Sequence, residues 1–430
     1  MPNYLLLIAN IIFCSYFIIR GMINTERIYR SSFWAMVVNL IFILLPCFSY
    51  LDDDNLAPHL TRFLIMVLLS EIAWAWGEKV GLSLSPRFPL PPRLDEINHY
   101  RWLAVSMLLS LLGMVAYIQV NRLFYAGASM VTGAATIYTF FSVFLQFGFI
   151  MAILGVFGFQ EVNLGIRILC VLPGLYYFFS RIVLFGRRQN MMEFFIIIIL
   201  TMWYIFKKRV PRWVLVVSII GGSMLMFSIG AYRKYVVVSS GERQWGELEH
   251  IEWSDALLER PDSGSSETLT GIYVMATTDL LGKYDFGSYH WDQLVFNFIP
   301  AQLLGADFKR SLMIEPDDIG EEMYSNFSFS VPRGSTYCGV TDCYCSFWYF
   351  GVVKFFIIAY IMARIHHRSM KGDIRWQGIY MYMMTMALHA ITHHTSWFIN
   401  PWVLVILVWW PAMLFCRNTA PREVDNGLAA

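Results

Sequence analysis

Along this chain, long apolar runs alternate with short polar connections, and a single connection is long. A helix rises about 1.5 Å per residue, so about 20 apolar residues carry it across roughly 30 Å of hydrocarbon. Eleven stretches fit that length, at about 4–19, 33–50, 60–77, 102–120, 134–158, 165–185, 190–206, 213–231, 346–363, 376–392 and 397–416. The pattern predicts an all-α polytopic membrane protein of about eleven transmembrane helices. Helices 1–8 fall in residues 1–231, a large external segment in 232–344, and helices 9–11 with a tail in 345–430. No basic stretch precedes the first run, and "YFIIRGMINTERIYR" offers no small-x-small site, so that run reads as a retained helix rather than a cleaved leader.

Composition agrees. The chain is 57% hydrophobic and 17% aromatic, with 15% charged residues and a mean hydropathy of +0.51, too little charge to cover a globule of 430 residues. A formal net charge of +1 offers no basic field for nucleic acid, so the lipid bilayer is the expected partner. The placement of charge changes the picture more. One alternate set of connections holds eighteen Lys and Arg, from Arg20, Arg27 and Arg30 through Lys207, Lys208, Arg209 and Arg212 to Arg417 and Arg422. The other short connections hold three: Arg122, Arg187 and Arg188. Since Lys and Arg accumulate in cytoplasmic loops, this split predicts an external N-terminus and a cytoplasmic C-terminus.

The adjacent arginines in "VLFGRRQNMMEFF" are the main exception, in an external hairpin of about five residues. Two readings stand side by side. Long cationic stems snorkel to lipid headgroups, and guanidinium forks bind phosphate oxygens. Arg181, roughly two turns earlier, favours the second. So does the helix start near Asn190, whose free N–H groups add partial positive charge. Ionisable residues within apolar runs mark pairing or function, because lipid penalises them; here they are Arg62, Glu71, Glu193 and Lys354. Glu193 is placed to orient Arg187 or Arg188, or to pair with Lys354.

The external segment is 113 residues long, far beyond an ordinary connection. After a polar first third, "SSETLTGIYVMATTDLLGKY" and "HWDQLVFNFIPAQLLG" carry apolar residues at helical spacing, predicting two amphipathic helices that lie on the outer surface or cap the bundle. Lys309, Arg310, Arg333 and a run of acids from Glu315 to Glu322 follow. Cys338, Cys343 and Cys345 cluster before the ninth span, where a Cys338–Cys343 or Cys338–Cys345 disulfide and free thiols are both open. In "LHAITHHTSWF", His389 and His393 stand four apart beside His394; that spacing suits a metal, a general base or phosphate partner, or interfacial packing.

Taken together, these features resemble the oligosaccharide repeat-unit polymerases of bacterial envelopes, the O-antigen polymerases. "GRRQNMMEFF" is similar to the family's Gly-x-Arg helix start, "YDFGSYHWDQLVFNFIPAQLL" to its external Gly–aromatic and Ile-Pro segment, and "GSTYCGVTDCYCSFWYFGVVKFFIIAYIMARI" to its re-entry segment. The match spans about residues 165–365; Ala301 follows Pro300 where the family often has Arg. The resemblance implies a GT-C-like, metal-independent membrane glycosyltransferase without a cofactor, on the periplasmic face of a bacterial inner membrane. Its substrate would be polyprenyl-diphosphate-linked oligosaccharide, with a chain-length regulator protein as a further partner. Arg187, Arg188 and Arg333, with His389 and His393, would be catalytic. Arg181, Lys309, Arg310, Tyr289 and Trp291 would bind substrate, and Asp292, Glu321, Glu322 and Asp342 are the carboxylates available as a base. An O-antigen ligase stays open, as does a non-enzymatic flippase or transporter of lipid-linked glycans, though no inverted repeat favours transport.

Overall fold

A computed structural model describes residues 2–84, 97–125, 134–236, 244–250, 267–299, 301–314, 319–331 and 336–418. Among them, regular structure is helical apart from one isolated bridge between Ile97 and Arg417. In chain order the main helices are α1 (Pro2–Ile23), α2 (Ser31–Tyr50), α3 (Ala57–Ser83), α4 (His99–Tyr125), α5 (Ala135–Gly158), α6 (Leu164–Leu184), α7 (Arg188–Phe206) and α8 (Arg212–Tyr235). The long segment after α8 supplies α9 (Glu267–Leu281), α10 (Ser288–Phe298) and α11 (Gly320–Phe327). The C-terminal part adds α12 (Gly339–Phe347), α13 (Val353–Ser369), α14 (Ile374–Thr392) and α15 (Ser396–Phe415).

Nine helices among the described residues are long and apolar enough to cross a membrane, with Gly339–Ser369 taken as one. This is an all-α polytopic membrane protein. The other two expected spans are helices as well, α8 and α14. The less apolar α14 is buried on nearly every side, so protein rather than lipid surrounds Gln377, Tyr380, Tyr382, Thr385 and His389. Against it and its neighbours, α3 and α13 form a close pair. A Cβ on Gly77 would lie 2.3 Å from the Phe356 carbonyl oxygen and one on Gly81 2.6 Å from Ala363 Cβ, so these glycines, one turn apart, let the backbones touch.

The charge split is a split between the two ends of this bundle. Arg209 pairs with Glu26 at 2.6 Å, Arg212 donates to the Ile23 carbonyl at 3.0 Å, and Tyr380 donates to the Tyr29 carbonyl at 2.8 Å. Arg364 donates to the Gly81 carbonyl at 3.4 Å, and Asn98 N–H to the Cys416 carbonyl at 2.8 Å. These contacts gather the cation-rich connections at one basic end. At the other end Asn3 donates to the Ala57 carbonyl at 3.0 Å, and the described residues between 267 and 347 form a cap, tied there by the Arg62–Asp279 pair.

The cap penetrates the bundle rather than lying on it. On α9, Thr268, Thr270, Ile272 and Thr277 are fully buried, and Thr268 donates to the Phe42 carbonyl of α2 at 3.3 Å. Arg62 of α3 is ion-paired with Asp279 of α9, which also accepts from Tyr344 at 2.6 Å and Tyr284 at 3.1 Å. Re-entry differs from the expected span beginning near 346: α12 enters first, and Trp348, at φ 54°, turns the chain into α13. All seven cysteines are free. Cys338 caps the start of α12 and meets Thr341 at 3.4 Å, whereas Cys345, about two turns along, meets Thr278 of α9 at 3.2 Å, and neither of the two bridges left open forms.

Candidate active site at the cap end

The arginine hairpin is built by a bulge and a glycine. The last turn of α6, Ser180–Leu184, is π-helical, a feature that recurs at functional sites. Gly186 then takes φ 56°, a conformation that suits glycine, and Arg187 caps α7 with its N–H bonded to the Arg181 carbonyl at 2.9 Å. The bulge lays the Arg181 guanidinium over two rings, 5.2 Å from Tyr117 and 5.7 Å from Tyr177. Arg187 is exposed and Arg188 half-buried, at the first turn of α7.

Further along α7 lies a fully buried carboxyl group, that of Glu193. Glu193 accepts from Gln146 and from Asn190, each at 3.2 Å, and Asn190 also donates to Tyr177 at 3.2 Å. The expected pairing of Glu193 with Lys354 does not occur, because Lys354 is taken up elsewhere: it donates to Ser346 at 2.7 Å and lies 3.5 Å from Asp342. Glu193 instead props the tyrosine on which Arg181 rests.

From the hairpin a polar belt continues into the histidine turn. Gln189 of α7 meets His389 Nδ1 at 3.4 Å. The His389 and His393 rings are 6.0 Å apart, and Trp397 lies 5.6 and 5.5 Å from them. His394 meets the edge of Tyr289 at 5.2 Å. Burial lowers His393 to about 4 and His394 to about 4, so both imidazoles are neutral near pH 7. Burial likewise pushes the Tyr289 hydroxyl up to about 12.

Asp342 fixes that turn. It accepts from the Thr395 N–H at 2.9 Å and from the Thr395 hydroxyl, with His290 Nε2 at 3.4 Å and Lys354 Nζ at 3.5 Å. It is only 1% exposed, and these partners take up both of its oxygens. Nothing in the sequence linked His290 or Thr395 to it, since they lie 52 and 53 residues away; an acid inside an aromatic re-entry segment was the one visible signal.

The remaining expected residues form a second group, within the cap. Lys309 donates to the Phe296 carbonyl at 2.6 Å and lies over the Phe296 ring, and burial lowers its pKa. Trp291 donates to the Leu312 carbonyl at 2.7 Å, Asp292 accepts from the Ile314 N–H at 2.8 Å, and Arg310 is exposed. Glu321 and Tyr324 line an open cavity of about 540 Å³. Arg333 lies outside the described residues. Among the described residues no group of three or more His, Cys, Asp or Glu is placed to hold a metal ion. In comparisons with family models, curated proteins and solved structures, none matches this chain.

Proposed function

We propose that this protein is a GT-C-like glycosyltransferase of eleven transmembrane helices that polymerises polyprenyl-diphosphate-linked oligosaccharide repeat units. Its cap end would face the periplasm across a bacterial inner membrane, with the basic end in the cytoplasm, as the loop charge bias favours. The observation that carries the reading is the Gln189–His389 contact, which joins the hairpin arginines to three histidines at the bundle's cap end.

In such a transfer the acceptor hydroxyl oxygen attacks the anomeric carbon, the bond to the diphosphate breaks, and negative charge collects on the departing lipid diphosphate. Arg187 and Arg188, at the start of α7, would stabilise that charge, together with the partial positive charge of the helix N-terminus. Fixed donors of this kind contribute roughly 3–4 kcal/mol each. Neutral His393 or His394 is available to take the hydroxyl proton. Tyr289 and Trp397 offer ring faces for sugars.

The test is reconstitution with a lipid-diphosphate repeat unit and size analysis of the products. A ladder from wild type that is lost in Arg187→Ala/Arg188→Ala supports polymerisation at the hairpin; a ladder that persists in the double variant overturns the site. The same arginine–histidine pairing also suits an O-antigen ligase. Transfer of preformed glycan to an added lipid A-core acceptor, without a ladder, would decide for that reading, and inactivity in both assays would favour a transporter.

A further inference from the structure

At the basic end, α13, α14 and α15 surround a cavity of about 210 Å³ that the candidate site does not use. Its lining changes with depth. Arg364, Arg368 and Trp376 stand toward the basic end, whereas Tyr360, Ile361 and Trp402 lie up to two turns of α13, about 12 Å, further into the bundle. The mouth is cationic and ordered. The Arg368 guanidinium lies over Trp376, 4.4 Å from the ring centre, and Arg364 donates to the Gly81 and Leu84 carbonyls at the end of α3. The neighbouring carboxylate, Asp373, is held bidentately by Arg375 at 3.0 and 2.9 Å, and exposed Lys371 adds another positive charge in the adjoining turn. Below the arginines the walls are aliphatic and aromatic.

A cationic mouth at a helix end, opening into an apolar trough that runs toward the middle of the bundle, is complementary to one kind of molecule. A soluble phosphate satisfies only the mouth, and a zwitterionic lipid brings its own cation to it. We propose that this groove binds an anionic phospholipid, with the headgroup phosphate at Arg364 and Arg368 and an acyl chain along Tyr360, Ile361 and Trp402. The bound lipid would lie between α13 and α14 at their basic end. The lipid site itself stands whether or not the glycosyltransferase reading does.

The experiment is native mass spectrometry of the delipidated full-length protein, offered phosphatidylglycerol and phosphatidylcholine in equal amounts. Wild type retains phosphatidylglycerol selectively. Arg364→Gln/Arg368→Gln weakens that retention about thirtyfold, the factor expected for two cations facing an anionic headgroup. Arg209→Gln/Arg212→Gln, which removes equal charge from the same end, leaves it unchanged. Ile361→Trp keeps both arginines but fills the trough, and it also releases the lipid; this variant carries the test if the arginine pair fails to fold. Equal loss in both arginine pairs would mean a general surface field and overturn the site. So would equal retention of the two lipids, or displacement by millimolar glycerol phosphate, which would assign the cavity to a soluble phosphate.

Discussion

The two ends of the bundle hold their cations in opposite electrostatic settings. At the basic end, arginines meet helix C-termini: Arg212 donates to Ile23 O at 3.0 Å, Arg364 to Gly81 O at 3.4 Å, and Arg167 to Val156 O. Carbonyls at those ends carry partial negative charge, so each contact favours the folded state. At the cap end, Arg187 and Arg188 stand at the N-terminus of α7, where the helix dipole is itself partly positive. Lys354 is sunk beside Asp342, and Arg62 is tied to Asp279. Cations at helix C-termini serve folding. A cation pair at a helix N-terminus adds its charge to the positive end of the dipole, a setting that favours an anion.

The largest effect expected is on the buried pair. Asp342→Ala leaves Lys354 with an uncompensated charge and removes the tether of Thr395, and should destabilise by about 3–5 kcal/mol; thermal unfolding in detergent measures it, and Asp342→Asn, which keeps an acceptor for Thr395, should cost less. A negligible loss would mean that Lys354 finds water at this depth.

The hairpin gives the sharpest contrast between stability and activity. Arg187→Ala/Arg188→Ala should lower glycan polymerisation by about 10²–10³-fold. The melting temperature should change little, since Arg187 is exposed and Arg188 only half-buried. A parallel fall in both would show that the pair is structural.

Protonation of the histidine turn comes next. His393 and His394 sit at about 4 in the folded protein against 6.5 ordinarily. The unfolded chain therefore binds protons first as pH falls. Stability is complete above pH 6.5 and is lost as pH falls from there toward 4. Melting scans across that range should show the slope, and His393→Gln/His394→Gln should flatten it. At the basic end, Arg212→Ala should cost only about 0.3–1 kcal/mol, and less in high salt.

Much of the architecture was legible because the bilayer imposes it. Span length, the cation split between connections, and the helical spacing of residues 267–281 follow from local rules that leave a mark in any window of the chain. The hairpin was legible for the same reason, as two charges in a connection too short to hide them. The partners were not. Glu193 could have met Lys354 by depth alone, yet Gln146 and Asn190 reach it first, and Lys354 goes to Asp342. The free thiols could not be read from cysteine spacing, because only the helix of α12 sets Cys345 about two turns away from Cys338 and gives each its own threonine.

The sequence by itself determined that this chain is a helical membrane protein, where its cations concentrate, and that Arg187 and Arg188 break the pattern, since each is a property of one segment in one solvent. Tertiary structure alone decided that Gln189 would touch His389, 200 residues away, and that Asp342 would lock the turn at Thr395. Those contacts depend on how α7, α12 and α14 pack, through shape and small-residue approach that no single helix encodes.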